Sequence, residues 1–131
     1  MSGYDYKETL VSRLTNHEED FWLMFGDFLD DFYRLKSKEE KYAMICDNLP
    51  DESIYYSDWK DKAFIAASVN KLCNDSDMKS PDWVYDNEYC LKKPYFSMNT
   101  KSDLMVILLI ESPKEFRMRN MYVEENVLSR V

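Results

Sequence analysis

Apolar residues recur at helical spacing along most of the chain, and capping residues and prolines divide the periodic stretches. A first helix is predicted over Tyr6 to Leu14, with Leu10, Val11 and Leu14 as its stripe. The second is the clearest. Phe21, Phe25, Phe28, Leu29, Phe32 and Leu35 fall within an arc of roughly 120°, with Asp20, Asp27, Asp31 and Arg34 opposite. Asn16 with Glu19 has capping-box spacing for its start, and the helix is predicted to end near Lys36. Ser37 with Glu40 repeats that spacing and opens a third helix to about Asn48, stopped by Pro50. Its apolar residues are Tyr42, Ala43, Ile45 and Leu49.

The segment Asp51 to Tyr56 reads as a connection. Ser57 or Asp58 then starts a fourth helix through Trp59, Ala63, Phe64, Ala66, Ala67 and Leu72, whose alanines allow close approach of a neighbour. Asn74 to Asp77 is a polar break. Ser80-Pro81-Asp82-Trp83 places a cap, a first-turn proline and an acid at a short helix start. Tyr89 to Asn99 reads as an irregular aromatic loop. The apolar run Leu104 to Ile110 suits a helix or a buried strand; Leu and Met outnumber Val and Ile and no partner strand is evident, which favours helix. Ser112 and Glu115 around Pro113 signal a last helix to about Arg119, ended by Asn120. Together these elements predict an all-α, compact single-domain bundle of five to seven helices over residues 1–131. The second helix and the segment 103–110 are its expected core pieces.

Composition narrows the function classes. The chain has 131 residues, 45% hydrophobic and 15% aromatic, with 2 Gly, 4 Pro and a formal charge of −8. Two glycines cannot build a phosphate-cradling loop, and no nucleophile-elbow, kinase or zinc motif occurs. One His and three scattered Cys leave no zinc ligand set, so no metal or other cofactor is expected. Cys46, Cys73 and Cys90 are expected as core or half-buried thiols of a reducing cytosol. The longest apolar run is seven residues and the N-terminus lacks a leader pattern, so a cytoplasmic protein without membrane association is expected.

Charge is uneven: residues 1–50 carry net −5, residues 51–100 net −3, and residues 101–131 net zero. An acidic front repels phosphate backbones and attracts basic surfaces. Nucleic acid is therefore not an expected partner; a protein with a basic surface, or a second copy, is. Asp20, Asp27 and Asp31 lie within about 40° on a helical wheel; a solvated polar face is the ordinary reading, ahead of contact with such a partner and of a hard-cation site. His17 beside Glu18, Glu19 and Asp20 reads as a surface residue at a helix start.

Tyr55, Tyr56, Trp59, Trp83, Tyr85, Tyr89, Tyr95 and Phe96 crowd the middle of the chain. Amphipathic rings suit interfaces, and Tyr55, Tyr56, Trp83, Tyr85 and Tyr95 are the candidate contact residues. Asp82, Asp86 and Glu88 are interleaved among them, where base stacking would need cations. Arg117 and Arg119, about 200° apart on a helix, either clamp an anion or pair with chain acids such as Glu111 or Glu115 to hold the C-terminus.

The C-terminal third carries a distinctive pattern. It runs Asp82-Trp83-Val84, Lys93-Pro94-Tyr95-Phe96, Leu108-Leu109-Ile110-Glu111-Ser112-Pro113, Phe116-Arg117-Met118-Arg119-Asn120 and Asn126-Val127-Leu128-Ser129-Arg130. The pattern resembles the C-terminus of a family of small bacterial proteins of unknown function. Residues 1–80 do not contribute to the likeness, and it implies no catalytic role; an association with toxin–antitoxin-like gene pairs is what it implies. The expected function is an acidic protein-interaction module, antitoxin- or immunity-like, that occludes a basic site on a second bacterial protein. The competing expectation is a small enzyme or regulatory subunit that binds an anionic ligand through Arg117 and Arg119.

Overall fold

A computed structural model describes residues 9–16, 20–56, 58–97 and 102–129. The side chains of Asn16 and of residues 102–106 fall outside this description, as do His17, Glu18 and Glu19. The predicted start of the first helix at Tyr6 also lies outside it. The described residues carry six α-helices: α1 (Leu10–Asn16), α2 (Phe21–Arg34), α3 (Lys38–Ile45), α4 (Asp61–Asp75), α5 (Ser102–Glu111) and α6 (Lys114–Arg117). Two 3-10 helices, η1 (Asp82–Tyr85) and η2 (Asn87–Tyr89), precede a two-stranded parallel sheet of β1 (Tyr95–Phe96) and β2 (Met121–Tyr122). The fold is all-α, and six helices lie within the expected range. No described helix is long and apolar enough to cross a membrane.

The chain groups into two compact units, the first within residues 9–56 and the second within 58–129. In the first, α2 buries Phe25, Phe28, Leu29 and Phe32, the predicted stripe, with Phe21 and Leu35 half-buried. Its rings form a ladder with centroid spacings of 5.3 Å (Phe21–Phe25), 5.5 Å (Phe25–Phe28) and 6.0 Å (Phe28–Phe32). The helix starts later than predicted. Asp20, not Asn16, is the cap: its Oδ2 accepts from Trp22 N at 3.0 Å, and Asn16 closes α1. Ser37 caps α3 as predicted, accepting from Glu40 N at 3.1 Å and donating to Glu40 Oε1 at 3.0 Å. That helix ends at Ile45, short of Asn48, and buries Met44 and Ile45 while Tyr42 and Ala43 are exposed.

In the second unit α4 is the central element, packed against α6, η1 and η2. It buries Ala63, Ile65, Ala66, Ala67, Val69, Leu72 and Cys73. The small alanine faces let these short elements approach on several sides. Trp59, assigned to this helix from sequence, lies before its first turn and is exposed, because Asp58 and Asp61 set the start: Asp58 N donates to Asp61 Oδ2 at 2.8 Å. The polar break after α4 is a complete C-terminal cap: Asp77 takes φ 56°, Met78 N reaches Cys73 O at 2.9 Å and Asp77 N reaches Asn74 O at 3.2 Å.

Two C-terminal expectations change. The predicted aromatic loop contributes β1, which pairs Tyr95 with Met121 and Phe96 with Tyr122, the latter rings stacked at 4.9 Å. Two-residue strands carry too little periodicity to be read from sequence. Ser112 does not cap α6, whose N-cap is Pro113 without a side-chain bond. Its hydroxyl instead bonds the Leu108 carbonyl and accepts from Val123 N at 2.9 Å, tying the end of α5 to the chain beyond β2. α6 ends at Arg117 with Met118 as its C-cap, short of the predicted Arg119, and the left-handed Asn120 (φ 64°) closes the turn that follows.

Candidate functional site

Side chains of the second unit fix the backbone from Asp82 to Tyr89 at several points. Trp83 and Val84 are buried, and Trp83 meets buried Tyr89 edge to face at 6.2 Å. Arg119, 1% exposed, donates through Nη2 to Val84 O at 2.6 Å and through Nη1 to Glu115 O at 2.7 Å and Asn70 Oδ1 at 3.1 Å. Asn70 Nδ2 in turn donates to Ser80 Oγ at 2.9 Å and to Tyr85 Oη at 3.3 Å. Buried Glu115 accepts from Asn74 Nδ2 at 2.7 Å. Burial lowers the Arg119 pKa from its ordinary value, while Cys90, Tyr85 and Glu115 oppose that shift.

The side chains on the outside of this segment are polar, Tyr85 among them although its hydroxyl returns to Asn70. Asp82, Tyr85, Asp86, Asn87 and Glu88 are all exposed. Asp86 both faces solvent and caps η2, accepting from Glu88 N at 3.0 Å. None of Asp82, Asp86 and Glu88 has an ion-pair partner among the described residues. Asn87 and Glu88 continue into an open cavity of about 430 Å³ shared with exposed Trp59, Cys90 and Lys92. The segment thus presents an edge of three carboxylates and one exposed phenol, and its Glu88 end shares a cavity with the exposed Trp59 indole and with Lys92 and Lys93. Cys90 is thus exposed, whereas half-buried Cys46 and buried Cys73 agree with expectation.

The other candidate residues are dispersed. Asp20 is occupied as a cap, and Asp31 Oδ2 accepts from Arg13 Nη2 at 2.7 Å, so only Asp27 of the three α2 acids is both exposed and off a cap. They do not form a common free face, because the helix begins after Asp20 and buried Arg13 requires a counter-charge. Tyr55 and Trp83 are buried and serve packing, Tyr55 against Phe21 at 6.2 Å. Tyr56 is half-buried and donates to Pro50 O at 3.0 Å beside an open groove of about 660 Å³ bordered by Asp51 and Glu52. Tyr95 is half-buried in β1 with the Lys60 ammonium 5.2 Å from its ring centre; burial raises its pKa. Of the two arginines, Arg119 is committed to acceptors of its own chain, Glu115 through the carbonyl rather than the carboxylate, and Arg117 is exposed. Only Tyr85 among the named contact aromatics lies on the exposed edge.

Asp82, Asp86 and Glu88 are legible in the sequence as acids interleaved among the central aromatics, but the candidate contact residues do not include them. Trp59 lies before the Lys60 cap of α4, outside the helix whose predicted apolar stripe includes it, and is exposed there. No group of three or more His, Cys, Asp or Glu among the described residues is arranged to hold a metal ion. Comparison with known proteins finds no matching family model, no matching curated protein and no matching solved structure.

Proposed function

We propose that this chain is an acidic protein-interaction module whose contact surface is the η1–η2 edge, with Asp82, Asp86, Glu88, Tyr85 and Trp59 meeting a basic surface on a second protein. The observation that supports it is the combination of exposed carboxylates without an ion-pair partner among the described residues and a segment held by Arg119 at Val84 O, by Asn70 at the Tyr85 hydroxyl and by buried Trp83. A contact segment already fixed in place loses little conformational freedom on binding. The carboxylates steer a basic partner inward, and the two rings supply contact area. The same charges disfavour nucleic acid. Occlusion of the partner's basic site, as an antitoxin or immunity protein does, is the finer form of this proposal.

The test compares the wild-type chain with the triple variant Asp82→Asn, Asp86→Asn, Glu88→Gln as immobilised bait in extract of the source cells. Asn at position 86 retains a capping side chain, so the edge keeps its shape. The expected result is one abundant protein held by the wild type at low salt, released as salt rises, and absent from the variant. Equal retention by both baits, or retention that salt does not weaken, overturns the proposal.

A further inference from the structure

α5 contains the run Leu104-Met105-Val106-Ile107-Leu108-Leu109-Ile110, and a helix that is apolar on every side is ordinarily enclosed. Within the second unit its described side chains, from Ile107 on, are only partly enclosed. Leu108 and Ser112 face inward at 6% and 3% exposure, while Ile107, Leu109 and Ile110 are exposed by 45%, 43% and 70%. At 100° per residue these three span about 160° of the helix circumference, away from Leu108 and Ser112. Three large aliphatic side chains in one helical arc form a contiguous patch rather than scattered exposure.

Charge identifies what covers it. Residues 1–100 hold the whole net charge of −8, and residues 101–131 balance five basic against five acidic residues. Glu111 ends α5, and Lys114 and Arg117 lie on α6 directly after it. All three are exposed, and none has an ion-pair partner among the described residues. An apolar patch bordered by both signs is complementary to itself. A two-fold rotation sets the acid of one copy against a base of the other. For an acidic chain, this neutral region is also where two copies meet with least repulsion.

We infer that α5 is the dimerisation face of this protein: a second copy covers Ile107, Leu109 and Ile110, and Glu111 of each copy pairs with Lys114 or Arg117 of the other. Sedimentation of the full chain from low-micromolar to near-millimolar concentration tests this. The expected mass rises from 15.8 kDa towards twice that value. Ile110→Glu, at a solvent-exposed position, raises the dissociation constant by about tenfold or more with an unchanged helical circular-dichroism spectrum. Glu111→Lys weakens the dimer by setting like charges together, and adding Lys114→Glu and Arg117→Glu restores it. The triple edge variant of Asp82, Asp86 and Glu88 dimerises like the wild type, so this inference and the proposed function fail separately. A chain that stays at 15.8 kDa throughout overturns the inference, including where another protein occupies α5. A dimer that Ile110→Glu and the charge reversals leave intact overturns it too.

Discussion

Arg119 shows what a single buried charge does in this protein. Its guanidinium holds together three separate pieces of chain: α4 through Asn70, η1 through Val84 and α6 through Glu115. Removing a buried cation leaves its acceptors without donors and the Glu115 carboxylate without a nearby opposite charge. Arg119→Met is therefore expected to lower stability by about 3–5 kcal/mol, read as a reduced urea midpoint. Cys73 acts through its proton instead. Burial pushes its thiol above the ordinary 9.0, partly opposed by the Ser80 hydroxyl. The unfolded thiol ionises near 9.0 while the folded one keeps its proton, so the native state binds more protons above that pH. Stability is expected to be intact below about pH 9 and to fall as pH climbs towards the folded value. Cys73→Ala makes the alkaline slope of unfolding free energy shallower. Cys46 and Tyr95, shifted in the same direction, keep a residual slope.

Helix ends, rather than helix centres, decide the elements. α3 has a weak apolar stripe and depends on its start, where Ser37 and Glu40 satisfy each other. Ser37→Ala is expected to cost about 1 kcal/mol, measured by thermal or urea unfolding, with Ser37→Asp largely retaining the wild-type value. α2 contrasts with it: its aromatic ladder is long enough to define the helix whichever residue caps it. In α4, burial on most sides follows from alanines and from the complete cap at Asp77, which turns the chain sharply towards Ser80 and η1.

At the scale of the molecule the relevant quantity is where charge and apolar surface remain exposed. The net −8 is concentrated before residue 101, and the acidic edge lies in that region. The exposed arc of α5 lies in the neutral region. The two surfaces therefore call for different salt responses. Binding through the edge is expected to weaken with salt, because it rests on charge attraction. Association through α5 is expected to persist in salt, because apolar contact dominates it.

Periodicity and capping chemistry are local, so the all-α class, the buried face of α2 and the Ser37 cap were legible from residues alone. So were the acids among the central aromatics, since composition is read directly. Three things depended on packing. Which rings are covered is set by neighbours far along the chain: Trp83 is enclosed and Tyr85 is not, though both belong to η1. Arg119 finds acceptors 35 and 49 residues away, which no spacing rule anticipates. Residues 107–110 of α5 read as core because hydrophobicity records an affinity for burial, whereas only the tertiary arrangement decides that Leu108 is covered and Ile107, Leu109 and Ile110 are exposed.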